Sequence, residues 1–223
     1  FGEFAFYYRG QLLVKAGPLI LIATGLALGF RAGIWNSGAE GQYIMGAILG
    51  AAIGLAFYPM DARWLVFPLM VLGGAIGGFL WAMIPGILKT RFNTNEILVS
   101  LLLVYVAEQI LASASLTFLK NPEGSGFPGS RNLRNWESSA NNEMIAGTGM
   151  HWGVVTAFIA VIFVYILLSR HIMGFNIRLT GESQRAARFA GVSPNRLILF
   201  CLGLSGALAG LAVDLESGAV LLE

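Results

Sequence analysis

Charged residues are scarce in this sequence, and their scarcity limits the class of protein it can encode. Only 12% of the 223 residues are Asp, Glu, Lys or Arg, whereas 56% are hydrophobic. Soluble domains typically carry about 25% charged residues. The formal net charge of +2 is also too small to suggest a nucleic-acid-binding protein. The composition therefore excludes an ordinary soluble domain and indicates a polytopic membrane protein.

Cysteine and histidine are also rare. The single cysteine, Cys201, lies in an apolar run, which excludes an internal disulfide and favours a role in core packing. His151 and His171 fall at opposite boundaries of predicted membrane spans, so they do not suggest a shared metal site. We therefore expect no metal site.

A nucleotide-binding loop of the form G-x-x-x-x-G-K-[ST] is missing. The chain therefore cannot hydrolyse ATP by that route, and a separate subunit would have to bind the nucleotide. We expect no cofactor in this chain and no enzyme activity. Because the sequence starts without Met and stops just after an apolar segment, we also expect further spans beyond its ends.

Long apolar runs make up most of the sequence. A helix needs about 20 mostly apolar residues to cross a bilayer, because its backbone must satisfy its own polar groups. By this measure the chain has about six spans or partial spans. They cover residues 12–30, 41–58, 64–88, 96–119 and 152–169, and the last begins near residue 197. The predicted fold class is all-α, a polytopic transmembrane bundle forming one domain over residues 1–223.

The positions of Lys and Arg predict the orientation of these spans. Basic residues are concentrated in two short connections, which the positive-inside rule places in the cytoplasm; they are Lys89, Arg91, Arg170, Arg178, Arg185, Arg188 and Arg196. The loop of residues 120–151 is polar and balanced in charge, so we expect it outside. Trp64 and Trp152 would then lie at the outer interface, as aromatic belts do.

Small residues recur at helical spacing in three spans. Such ridges let helices approach closely in lipid, either within one bundle or between two subunits. The ridges are Gly46, Gly50 and Gly54; Gly74 and Gly78; and Gly206 and Gly210.

A polar segment, RLTGESQRAARFAGVSPNRL at 178–197, interrupts the apolar pattern before the last span. We interpret it as a short amphipathic helix with Thr180 as its N-cap and Glu182 in its first turn. Gly191 suits a C-terminal position with positive φ, and Pro194 prevents continuation. Its exposed surface could dock on another protein or simply rest among lipid headgroups. That surface comprises Arg185, Arg188, Ala186, Ala187, Phe189 and Ala190.

A second polar segment, RAGIWNSGAEGQ at 31–42, separates the first two spans. It is either a cytoplasmic turn or a helix break at membrane depth. Irregular backbone at that depth is tolerated only where it lines a protein-enclosed or watery cavity. In the second case Asn36, Glu40 and Gln42 would face the route of a polar solute.

Other polar groups lie inside or at the ends of predicted spans. Glu108 and Gln109 interrupt the fourth span, and we expect them to face the bundle interior. Tyr105 lies one turn earlier, and these three side chains could pair structurally or touch a solute. Glu216, near the end of the last span, is either an interface anchor or a further member of a solute route.

Three segments resemble one family. GESQRAARFAGVSPNRLILFCLGLSGALAGLA at 181–212 is similar to the cytoplasmic segment and following span of ABC importer permeases of the nucleoside and simple-sugar group. FRAGIWNSGAEGQ at 30–42 resembles that family's F-R-A-G-x-x-N-I-G-x-E-G-Q signature, with Ser37 replacing the usual Ile. LKTRFNTNEILVSLLLVYVA at 88–107 is similar to a segment in which an Asn-Glu pair opens a span. A later Asn-Tyr pair of the family is Val104-Tyr105 here.

The resemblance implies an import machine built from several chains. Two permease subunits, identical or different, would form the path in the bacterial cytoplasmic membrane, and an extracytoplasmic solute-binding protein would deliver a nucleoside or simple sugar. Cytoplasmic ATPase subunits would contact residues 174–196, a coupling-helix segment, and drive alternating access. The implied coupling residues are Gly181, Glu182, Arg185, Ala186, Ala187, Arg188, Phe189 and Gly191. Candidate residues of the solute path are Asn36, Glu40, Gln42, Tyr105, Glu108, Gln109 and Glu216.

Two alternatives remain open from the sequence. A proton-coupled secondary transporter could use Glu40, Glu108 or Glu216 as a proton relay. A membrane enzyme or a non-transporting scaffold is the other alternative, although no convergent catalytic set supports an enzyme.

Overall fold

The computed structural model describes residues 2–57, 63–120 and 152–217, and within them it is a bundle of α-helices without strands. In chain order the helices are α1 Gly2–Arg31, α2 Ala39–Ala56, α3 Arg63–Phe92, α4 Glu96–Leu116, α5 Trp152–Arg170, α6 Ile172–Glu182, α7 Gln184–Phe189 and α8 Pro194–Ser217. Each of the six predicted apolar runs corresponds to one helix, which confirms the all-α fold class.

Five of these helices are long and apolar enough to cross a membrane. They are α2, α3 from Trp64, α4, α5 and α8 as far as Val213. Most of the predicted outer loop, 121–151, lies outside the described residues, as do residues 58–62 and 218–223.

Helix α8 lies at the centre of the bundle. In its candidate span 61% of the residues are buried, compared with 22% of the residues in the spans of α4 and of α5. Around its first half, Ile198, Cys201 and Leu202 form a core cluster with Leu28 of α1 and Ile177 of α6. Cys201 is fully buried there, as its apolar surroundings in the sequence predicted. The more peripheral helices α4 and α5 leave large apolar faces exposed, as lipid-facing helices do.

The glycine ridges bring α2, α3 and α8 into direct backbone contact. A Cβ atom at Gly46 would lie 2.5 Å from Gly210 Cα, a separation that real side chains do not tolerate. Gly78 faces Gly206 in the same way, and Gly210 also meets the carbonyl of Gly74. The predicted ridges therefore pack within this chain, where α2, α3 and α8 lie against one another.

The two basic connections lie at the same end of the bundle. Asn195, at the start of α8, donates through Nδ2 to the carbonyl of Thr90 at the end of α3, over 3.4 Å. Between α3 and α4, Lys89 pairs with Glu96 at 2.9 Å. Asn95 caps α4 by accepting from Ile97 N at 3.0 Å, so the predicted Asn-Glu pair does open this helix. This arrangement agrees with the prediction that both connections lie on one side of the membrane.

Candidate functional site

The connection between α1 and α2, residues 32–38, packs one of its edges into the bundle. Burial alternates along it, so that every second residue points inward and the others are open. The inward residues are Ala32, Ile34, Asn36 and Gly38; the open ones are Gly33, Trp35 and Ser37. Ile34 joins the core cluster around α8, and Trp35 contacts Phe30 with ring centroids 4.9 Å apart. The connection therefore lies against the bundle along one edge and leaves the other edge accessible.

Asn36 is the centre of a buried hydrogen-bond network. Its Nδ2 donates to Gln42 Oε1 at 2.8 Å and to Ser205 Oγ at 3.1 Å. Its Oδ1 accepts from Gln42 Nε2 at 3.0 Å and from Gly38 N at 3.1 Å. A primary amide offers two donors and two acceptor sites, so Asn36 is fully satisfied. The network ties the connection to the first turn of α2 and to the middle of α8.

The network lies well inside the bundle. Ser205 follows Pro194 by eleven residues, which places it about 16 Å along α8 at 1.5 Å per residue. On the opposite side, Ser37 N donates to Ser100 Oγ of α4 at 3.2 Å, and a Cβ atom at Gly38 would be 2.9 Å from Ser100 Cβ. Helix α2 therefore starts between the middle of α8 and the first turns of α4. This packing favours the interpretation of residues 31–42 as a break inside the bundle.

The residues predicted to line a solute path divide into a buried set and an exposed set. Asn36 and Gln42 are buried and joined, as described. Glu40 lies in the first turn of α2, is exposed, and makes no ion pair with any other described residue. A carboxylate is favourable there because the helix dipole is positive at its N-terminus.

The expectation that Glu108 and Gln109 face the bundle interior was wrong for this chain. Both are exposed, as is Tyr105. Helix α4 contacts the bundle through a single stripe of its surface, which comprises Glu96, Ser100, Val104, Ala107 and Ala114. Positions 105, 108 and 109 lie off that stripe, so their side chains point away from the core. Glu216 falls within α8, but its side chain lies outside the described residues.

Sequence reasoning missed three polar residues next to this network: Ser205, Ser100 and Trp81. The indole Nε1 of Trp81 is buried without a hydrogen-bond partner, and a Cβ atom at Gly41 would be 3.2 Å from it. The two serines could have been suspected, because a hydroxyl inside an apolar span requires a partner.

The polar segment before α8 forms two helices, and its predicted N-cap was wrong. Thr180 is buried inside α6, where its hydroxyl donates to the carbonyl of Asn176 at 2.8 Å. Helix α6 continues past Thr180 because Gly174, Ile177 and Thr180 form one buried stripe against the bundle. Consequently Glu182 ends α6 and does not lie in a first turn.

Ser183 caps the following helix, α7. Its Oγ accepts from Ala186 N at 3.2 Å. Gly191 ends the turn after α7 with φ +78°, as predicted, and Pro194 is the first residue of α8.

Helix α7 projects from the bundle. Ala187 is its one buried residue, whereas Arg185, Ala186 and Arg188 are exposed. Phe189 is 87% exposed, the largest value among the exposed large apolar side chains of the described residues. A six-residue helix that presents an aromatic ring beside two arginines is typical of a protein-docking surface.

The segment containing α6 and α7 touches the α1–α2 connection backbone to backbone. Gly33 has φ +72°, a conformation that glycine adopts without strain. A Cβ atom at Gly33 would lie 3.2 Å from the carbonyl oxygen of Gly181, and one at Gly181 would overlap the carbonyl oxygen of Arg31. The segment that contains α6 and α7 is therefore linked to the Asn36 network through one short stretch of chain.

Long apolar helices packed around a buried polar network, with a polar segment projecting at one end, indicate a polytopic membrane protein. The family model for the permease component of branched-chain amino acid transport systems matches residues 8–215, and the chain belongs to this family.

Curated relatives support this membership. The chain is 32% identical to a guanosine ABC transporter permease of Bacillus subtilis, over 97% of this chain and 61% of the relative. It is 32% identical to a glucose ABC transporter permease of Haloferax volcanii, over 90% and 54%. It is 30% identical to a nucleoside ABC transporter permease of Lactococcus lactis, over 91% and 57%. The chain thus spans a little over half the length of these relatives. No solved structure matches it.

Proposed function

We propose that this chain belongs to the permease subunit of an ABC importer that moves nucleosides or simple sugars across the bacterial cytoplasmic membrane. The observation that carries the proposal is the backbone contact between Gly181 and residues 31–33. Through it, the exposed docking helix α7 is joined to the break that holds the buried Asn36 network. The names of the relatives, which include guanosine, nucleoside and glucose permeases, supply the solute classes.

In this proposal the docking surface for a cytoplasmic ATPase is α7 with its flanking residues. Phe189 would enter a pocket of the ATPase, and Arg185 and Arg188 would pair with acidic residues around it. The complete coupling set is Gly181, Glu182, Arg185, Ala186, Ala187, Arg188, Phe189 and Gly191. ATP would be bound by the partner, since the chain has no phosphate-binding loop.

The solute path would run along the faces of α2 and α4 that this chain leaves open. An ionisable side chain facing lipid is unfavourable and normally faces protein or a water-filled cavity. Glu40, Tyr105, Glu108 and Gln109 are all exposed on this chain. A second permease subunit, identical or different, would cover them and complete the path. Asn36 and Gln42, which are buried in this chain, would lie behind the wall of this path and could reach it only when their network opens. An extracytoplasmic binding protein would deliver the solute.

The mechanism would be alternating access. Movement of α7 by the ATPases would press on residues 31–33 through Gly181 and shift the start of α2. The Asn36 network would break or re-form as this happens. Uncharged polar hydrogen-bond groups suit solutes that, like nucleosides and sugars, are rich in hydroxyls and carry no net charge.

The test is uptake of labelled guanosine and glucose into proteoliposomes that contain the full-length permease, its ATPase and its binding protein. We expect uptake of one solute class, abolished without ATP. Phe189→Asp should reduce both ATPase association and uptake at least tenfold. Phe92→Asp is the matched control, because Phe92 is also exposed, at 71%, and ends α3 at the same end of the bundle. Unchanged ATPase association and uptake in Phe189→Asp, or full uptake without the ATPase, would overturn the proposal.

A further inference from the structure

A groove opens between α1, α5 and α6 at the end of the bundle where the basic connections lie. Its volume is about 320 Å³. Arg31, the last residue of α1, and Arg178 of α6 both line it, together with Tyr165 and Ser169 of α5. The two arginines are 147 positions apart in the sequence, and the fold brings them to one groove.

Neither arginine has an acidic partner among the side chains that the structure describes. Among residues 2–57, 63–120 and 152–217 the ion pair present is Lys89–Glu96, on a different pair of helices. No Asp or Glu lines the groove, and both arginines are exposed. Two unpaired guanidinium groups at one groove favour an anion with several acceptor oxygens, and a phosphate group has that chemistry.

Most of the remaining wall of the groove is apolar and continues along the membrane-spanning part of α5. Val161 and Val164 form part of its wall. Val161 precedes Arg170 by nine residues, so the wall extends about 14 Å from the end of α5. A water-soluble phosphate would leave this wall uncovered. A molecule with a phosphate at one end and a hydrocarbon chain at the other would contact both parts.

We propose that the groove binds one anionic phospholipid of the cytoplasmic leaflet. Its phosphate lies between Arg31 and Arg178, and its acyl chain follows Val161 and Val164. The inference uses the membrane orientation of the proposed function but does not depend on the solute or on ATP. Because Arg31 also contacts Gly181 through its carbonyl, the bound lipid holds α6 against the end of α1.

Native mass spectrometry of the purified full-length permease tests the proposal. The protein is incubated with phosphatidylglycerol or phosphatidylcholine, and retained lipid is counted per chain. We expect each chain to retain one phosphatidylglycerol molecule. In the Arg31→Gln/Arg178→Gln double variant its affinity should be about 25-fold weaker, because each basic residue near an anionic lipid contributes roughly a factor of five. Arg91→Gln/Arg170→Gln is the control, because it removes the same charge from exposed residues near the same end. Equal loss in both variants, or equal retention of phosphatidylcholine, would refute a specific site.

A second measurement identifies the occupant directly and does not depend on how the arginine variants fold. Tyr165, which is 65% exposed on the groove, is replaced by photoreactive p-benzoylphenylalanine. Irradiation in membranes should add the mass of a phospholipid to the chain. Crosslinking to a second protein chain, or loss of the lipid adduct in the presence of inorganic phosphate alone, would contradict the proposal. Neither lipid-binding measurement requires transport. A negative result in either one would therefore refute the lipid site without refuting the proposed importer function.

Discussion

The Asn36 network makes a quantitative prediction about the stability of the bundle. Asn36→Ala removes four hydrogen bonds, two of them to Gln42, and leaves the buried Gln42 amide without either partner. A hydrogen bond contributes about 0.5–1.5 kcal/mol net, and an unsatisfied buried group costs about 1–3 kcal/mol. Because some of these groups can re-pair locally, we expect Asn36→Ala to lower the free energy of unfolding by about 2–4 kcal/mol.

A double-mutant cycle isolates the amide pair. Gln42→Ala alone should destabilise by about 2–3 kcal/mol, because it leaves one donor and one acceptor of Asn36 unpaired. In the double variant the Asn36 amide is absent, so replacing Gln42 no longer leaves a donor and an acceptor of Asn36 unpaired. The two single-variant effects should therefore not add. We expect a coupling energy of about 1–2 kcal/mol, above the average of about 0.6 kcal/mol for interhelical bonds in membrane proteins, since two bonds are involved.

The assay is reversible unfolding of the purified permease in mixed micelles, with tryptophan fluorescence as the readout. Thr156→Val serves as the control, because its hydroxyl donates to the carbonyl of Gly153 within the same helix, at 2.9 Å. We expect this control to change stability by less than 1 kcal/mol. If the effects of Asn36→Ala and Gln42→Ala are additive, the reciprocal amide pair does not form in solution and the proposed centre of the site is incorrect.

Two further predictions concern backbone contacts at glycine. Gly181→Ala should reduce solute uptake at least tenfold while ATP hydrolysis by the assembled complex continues. The added methyl group would displace the carbonyl of Arg31 and separate the segment containing α6 and α7 from the α1–α2 connection. Tightly coupled hydrolysis and uptake in this variant would contradict that route. Gly210→Ala should lower the unfolding free energy by about 1–3 kcal/mol, because its Cβ atom would overlap the carbonyl of Gly74 and force α8 away from α3. Gly17→Ala is the control for both, since its nearest neighbours would be 3.5 Å from the new Cβ atom, an ordinary contact.

The helices could be predicted from sequence because the bilayer imposes their length and composition. Each apolar run of about 20 residues became a helix. The glycine ridges also predicted close packing correctly, since backbone contact between helices excludes larger residues at those positions. Sequence could not decide between packing within one chain and packing between subunits, because both use the same small residues.

The errors have identifiable physical causes. Thr180 and Ser183 are both residue types that cap helices, and burial of the stripe that includes Ile177 extends α6 past the first of them. Helix α4 is apolar around its circumference, so its sequence gives no periodicity to show that Glu108 faces outward. Ser205 was missed because its partner Asn36 is 169 residues away along the chain, a distance at which spacing carries no information.

The buried network is made of two amides and a hydroxyl, and this choice of groups has an energetic consequence. Moving one elementary charge through a membrane voltage of 100 mV changes its energy by about 2.3 kcal/mol. The side chains of Asn36, Gln42 and Ser205 carry no net charge, so their rearrangement transfers no gating charge. The voltage across the membrane would neither drive nor oppose that step. If the proposed ATP-driven cycle operates, a cell whose membrane becomes depolarised would keep this step unchanged for as long as its nucleotide supply lasts.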